Sequence, residues 1–169
     1  MTASAYLGKY RGKVVQNLDP ENRGRVQVSV PEVLGSNVLS WAMPCVPYAG
    51  SGAGIYAVPP VDANIWVEFE GGSPDRPVWV GCFWEKSETP KIALSPPQPI
   101  GHILLTTAND NLIHISDAPG DAGGITLSIR SGAKITINDT GITITNGKNA
   151  TISLQGPTVD VNNGALSVT

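Results

Sequence analysis

The chain contains two histidines, His102 and His114, and chemistry, if present, would start with them. A metal site needs several converging ligands, commonly three or four. Two histidines on separate strand-like runs, GHILLTT and NLIHISD, do not supply that. Serines are plentiful, yet His114 lies inside LIHISD, where a satisfied structural histidine fits better than the base of a nucleophilic triad. Asp110, Asp117, Asp121, Asp139 and Asp160 fall mostly at turns, where carboxylate-to-backbone bonding accounts for them; calcium ligation is only weakly signalled. No carboxylate pair sits in a setting suited to glycoside hydrolysis. The Gly-rich stretch AGSGAGIY, Ala49 to Tyr56, lacks the following Lys-Ser/Thr and helix of a phosphate-cradling loop and reads as a tight-turning surface loop. Trp66, Trp79 and Trp84 could stack bases, but Glu68, Glu70 and Glu85 lie beside them, against the basic groove that stacking platforms use. Cys45 in MPCVP and Cys82 in VGCFW have apolar neighbours and read as buried thiols rather than a disulfide. No catalytic, cofactor-binding or metal-ligating residue is assigned.

The elements that would position any such residues are β-strands. The chain has 169 residues with 19 Gly and 14 Pro, a composition of many short strands and turns, and no helical periodicity lasts beyond a turn or two. Charged residues are 15%, the formal net charge is −3, and the sequence pI is about 5.2, which disfavours nucleic-acid binding. MTASAYLGKYRGK has no apolar core of a signal peptide, and no run is long enough to span a membrane as a helix. A cytoplasmic site of synthesis is expected.

The second half sets the architecture. From Ile125 onward, short runs (ITLSI, KITI, ITIT, ATISL, TVDV, ALSV) alternate apolar and polar residues and are separated by Gly, Asn, Asp or Pro. This is the period of a strand with one buried face. Strands are expected to open near Ile125, Lys134, Ile142, Ala150, Thr158 and Ala165. The apolar positions hold only Ile, Leu, Val and Ala, and no aromatic residue follows Trp84. A single-chain solenoid would have only about two coils here, below the ~3 needed for a stable stack. Its strand edges would also lie open. Three copies wound together remove both problems, each chain giving successive strands to the three faces of a prism. The expectation is an intertwined trimeric β-helix, with a monomeric solenoid as the alternative.

All four Trp, all four Tyr and both Phe lie between Tyr6 and Trp84, so the first half can build a conventional core. GKVVQNL, RVQVSVP, VLSWAMPCVPYA, NIWVEFEGG and PVWVGCFW read as strands. The turn DPENRG joins the first two, and Trp41 is expected to anchor the core. Val26, Val28 and Val30 share one face, as do Ile65, Val67 and Phe69. Such a set fits a five-stranded OB-fold barrel. The Pro-rich TPKIALSPPQP reads as an extended connector. The expected organisation is a barrel over residues 1–88, a connector over 89–100 and a β-helical spike over 101–169, comprising a collar (101–124) and a needle (125–169).

Several motifs of the first half are those of a known family. They are the DP-x-x-x-GRV turn and strand (Asp19, Pro20, Gly24, Arg25, Val26), the Ser40-Trp41-Ala42 step, the Gly-rich loop followed by Pro, and the V-x-F-E-G-G-x-P-D-x-P-V-W-x-G run from Val67 to Gly81. Residues 12–84 thereby resemble the barrel of contractile-tail spike proteins: phage baseplate assembly protein V, the phage tail-lysozyme spike and the VgrG spike of type VI secretion. GHILLTTANDNLIHISD is similar to that family's barrel-to-helix junction. Asp62 departs from the family's usual Gly, and Ser73 from its usual Asp.

The resemblance implies a homotrimer in the baseplate of a virion tail, carrying a needle that contacts and pierces the target envelope on sheath contraction. It implies no enzyme: the lysozyme domain of some relatives has no counterpart. The hub domain fused ahead of the barrel in VgrG is likewise absent, so a separate hub protein is expected. Some members bind iron through a His-x-His near the C-terminus; VDVNNGALSVT has none, so no tip metal is expected from this chain, and a PAAR-type cap protein could cover the tip. The competing function is an OB-fold module that binds nucleic acid or glycan.

Overall fold

A computed structural model of the chain describes residues 5–94 and 101–168. It divides into two compact units, Met1–Glu88 and Thr89–Thr169, considered in turn.

In the first unit, β1 (Tyr10–Gln16), β2 (Val26–Ser29) and β3 (Leu39–Pro44) are followed by a small hairpin, β4 (Ala49–Gly50) and β5 (Ala53–Gly54). Then come β6 (Asn64–Phe69) and β7 (Pro77–Cys82). The five longer strands close a barrel in the order β1-β2-β3-β7-β6. Only the β3–β7 pair is parallel. Closure leaves none of these strands as an open edge. The alternating valines point inward as their period requires: Val14, Val26, Val28, Val30, Ile65 and Val67 are essentially inaccessible to solvent. Phe69 and Trp79 complete the core. Trp41 does not anchor it. It is half-buried, with the Arg25 guanidinium 5.4 Å over its ring; its neighbour Ala42 takes the inward position. The cysteines also differ from expectation, since both are exposed. Cys45 follows the last residue of β3 and Cys82 ends β7, so neither occupies an enclosed inward position. Partial covering still pushes the Cys82 thiol above its ordinary range.

The turn between β1 and β2 is built on one carboxylate. Asp19 accepts hydrogen bonds from the backbone N–H groups of Glu21, Arg23 and Arg25, and from Nε and Nη2 of Arg25. Its side chain is almost wholly covered (3% exposed). The Arg25 side chain, with help from the backbone donors, holds the Asp19 carboxyl well below the usual carboxylate range. Asp62 has φ 68°; Asp is among the few side chains that tolerate this left-handed conformation.

The second unit is a single antiparallel meander. β8 (His102–Thr106), β9 (Leu112–Ser116), β10 (Gly124–Ser128), β11 (Lys134–Asn138), β12 (Gly141–Thr145), β13 (Thr151–Gln155), β14 (Thr158–Val161) and β15 (Leu166–Val168) form one eight-stranded sheet in chain order. The six strands after residue 123 open within a residue of the positions read from the sequence. The connectivity is simpler than the expected winding of successive strands onto three faces: each strand pairs with its chain neighbours. Loops as short as Asp139–Thr140 keep consecutive strands adjacent and antiparallel. Gly141 shows how tight these connections are. Its φ is 142°, and a Cβ there would lie 2.0 Å from the Leu154 carbonyl oxygen.

The Asp19 arrangement predicts a specific acid response. A carboxylate with a depressed folded pKa contributes stability that is complete above its ordinary value near 4 and is lost as pH falls through the folded value. Asp19→Asn should therefore lower the melting temperature of the first unit at neutral pH, and the difference from the parent should shrink below about pH 4. Tryptophan fluorescence reads that unit alone, because all four Trp lie in it. A difference that stays constant down to pH 2 would refute the role given to the charge.

Candidate trimerisation face

The register of the meander collects most of its apolar residues into two ladders on one face, with Leu104 and Leu112 left on the other. Ile125 stands opposite Ile115 and Ile137, and Ile137 opposite Ile142. Two residues along, Leu127 stands opposite Ile113 and Ile135, and Ile135 opposite Ile144. The ladders run outward to Ile103 and Leu105 on β8 and to Val168 and Leu166 on β15, one residue of each ladder per strand. The stretch read as a collar thus supplies the first two rungs of the same sheet. Cross-strand aliphatic pairs of this kind stabilise a sheet locally. They do not remove it from water: every ladder residue except the half-buried Ile142 and Val161 is exposed, from 38% at Ile135 to 63% at Leu105.

Monomeric proteins leave contiguous apolar patches of roughly 300–600 Å², and the two ladders expose on the order of 1,000 Å². At ~25 cal/mol per Å², covering that area is worth about 25 kcal/mol gross, against which stands the cost of bringing chains together. The face is built to be covered.

The opposite face carries Thr126, Thr136, Thr143 and Ser153, together with both histidines. The His102 and His114 rings are 5.6 Å apart, edge to face. Neither the buried His102 Nδ1 nor the buried His114 Nε2 has a hydrogen-bond partner among the described residues. The expectation of a satisfied His114 is therefore not met. Burial, then the neighbouring His102, lowers its pKa. Of the turn carboxylates, Asp139 accepts from the Gly120 N–H and Asp160 from the Gly164 N–H. Among the described residues no three His, Cys, Asp or Glu side chains converge.

In the barrel, the three tryptophans considered as stacking surfaces are not presented together. Trp79 is buried, and its indole N–H donates to the Gly24 carbonyl. Trp66 is covered by Arg11, whose guanidinium lies 5.2 Å over the ring and pairs with Glu85. Glu68 is paired with Lys9. Trp84 alone is widely exposed.

Comparison with protein families gives two matches. Residues 10–84 match the type VI secretion system/phage-baseplate injector OB domain. Residues 102–167 match the phage baseplate V C-terminal trimerisation domain. Together they take in both units. No curated protein matches the chain.

A charge placed in the middle of the ladders should abolish assembly without touching the barrel. For Ile144→Asp we expect loss of the oligomer on a sizing column, because an unpaired carboxylate would be buried among aliphatic side chains; tryptophan fluorescence should be unchanged. An Ile144→Asp chain that assembles like the parent would show that the ladders are not the contact face.

Proposed function

Because the chain belongs to the phage baseplate V family of injector OB and trimerisation domains, we propose that three copies of it form the central spike of a contractile tail baseplate. The observation that carries this reading is the exposed pair of apolar ladders, which only further sheets of the same kind can cover evenly along its length. The mechanism is force transmission. Each strand is hydrogen-bonded within its chain and packed through its ladder residues against the other two chains. No strand can then yield without opening the shared core.

In this reading the spike pierces the target envelope on sheath contraction and needs no chemistry of its own. A hub protein in the baseplate and a cap at the far end are the expected partners. The cap is supported by β15, an outer strand of the meander whose Leu166 and Val168 remain exposed; unpaired strand edges are normally covered or blunted. A nucleic-acid-binding barrel is not favoured, since Trp79 is buried, Trp66 is covered by an ion-paired arginine, and the exposed Trp84 stands beside Glu85 without a second ring to stack with.

Light scattering of the purified full chain tests the proposal. Three copies of a 17.7 kDa chain give a mass of about 53 kDa, and the species should survive SDS without heating. A clean monomer at micromolar concentration would overturn the reading.

A further inference from the structure

The charged residues of the second unit are segregated in a way the ladders do not explain. The three cations of its sheet region, Arg130, Lys134 and Lys148, lie at one lateral margin of the sheet, and Lys91 stands before the first strand. Arg130 and Lys148 are in the loops after β10 and β12, and Lys134 opens β11 between them. Asp117, Asp121 and Asp139 lie at the opposite margin, in the loops after β9 and β11. Contacts within each margin confirm the grouping. Asp139 accepts from Gly120 N across the acidic loops, and a Cβ on Gly132 would touch Gly147 across the basic ones. All six side chains are exposed. None joins an ion pair within the chain; those found among the described residues are in the first unit. Of the remaining two charges, Asp110 is at the basic margin and Asp160 within β14.

Geometry decides what each margin meets. Strands of five residues span about 17 Å. Three such widths set as an equilateral prism place each sheet about 5 Å from the axis, half the ~10 Å at which sheets pack face to face. The apolar ladders then fill the centre. Joining β15 of one chain to β8 of the next would instead make a barrel of 24 strands, far too wide for side chains to fill. In the prism the lateral margins meet at the corners, and cyclic symmetry brings each chain's basic margin against the next chain's acidic one. Acidic loops lead into β10 and β12, basic loops into β11 and β13, so the two sets interleave at single-strand steps of about 4.8 Å. Arg130 falls between Asp121 and Asp139 of the next chain, and Lys148 one step beyond Asp139.

We propose, resting on the trimer reading, that Arg130, Lys134 and Lys148 pair across each corner with Asp117, Asp121 and Asp139 of a second copy of this chain, and that these seams hold the three chains in one common direction. Exposed pairs contribute little individually. Their collective effect is on direction, since a chain set end for end would bring basic margin against basic and acidic against acidic.

The test uses full-length chains refolded across a dilution series, with the mass read by light scattering at about 20 mM and 500 mM NaCl. Asp139 is left in place to keep its bond to Gly120. R130E/K134E/K148E and D117K/D121K should each dissociate at a concentration at least ~10-fold higher than the parent at low salt. The gap should close at high salt, which also shows that the variants fold. Combining both sets restores opposite charges around positions 117 and 121, with Asp139 alone left against like charge, and should bring the dissociation concentration at least ~3-fold back toward the parent's from that of either set alone. A trimeric parent with salt-insensitive, unshifted variants, or a combined variant no better than either alone, overturns the seams. A parent that is monomeric throughout overturns the trimer reading itself.

Discussion

A sheet with one apolar face and no second layer is incomplete. Everything in the second unit follows from that constraint. The two ladders place an aliphatic side chain on each strand of the meander at each of two positions, yet the chain supplies nothing to lay over them within that unit. A long helix, a second sheet or an aromatic plug would each serve, and the described residues of the unit hold only two short 3-10 turns beside the sheet. Identical sheets are the cover whose ladder matches rung for rung, and the match to a trimerisation domain is that solution.

The first unit shows the contrast. Its barrel closes on itself and buries its valines completely, with Phe69 and Trp79 to fill the volume that five strands enclose. Polar groups are used sparingly and locally. Asp19 gathers the donors of one turn, and Trp79 ties that turn to the barrel through Gly24. One unit is thus stable by closure and the other by association, which is why the aromatic residues stop where they do.

Period-two alternation was a sufficient guide to the strands, because Ile, Val and Thr at every second position leave the backbone few alternatives. Val26, Val28, Ile65 and Val67 could be assigned to the core, and the strands from Lys134 and Thr158 could be located, from that pattern alone. Local composition misled for Cys45, Cys82 and Trp41: apolar neighbours say nothing about which side of a strand a residue is on or whether the strand has already ended. The number of runs alone is compatible with strands on separate faces, but turns as short as Asp139–Thr140 hold consecutive strands side by side in one sheet. The segregation of Arg130, Lys134 and Lys148 from Asp117, Asp121 and Asp139 was invisible in the sequence, where the signs are interspersed. It emerges only when the meander folds alternate loops to opposite margins. Likewise, LIHISD shows a histidine in a strand but not that His102 sits 5.6 Å away.

The same connectivity bears on how such a unit can be made. Every strand pair in the meander is between chain neighbours, so the contacts are local and each hairpin can form without searching the rest of the chain. Local pairing gives speed but not stability, since an isolated sheet keeps its ladders in water and short hairpins are marginal alone. Stability comes only when three sheets meet, and it then depends on concentration. The barrel, complete by closure, has no such dependence. A chain built this way can hold its first unit folded while the second waits for partners, because only the second leaves its apolar area uncovered.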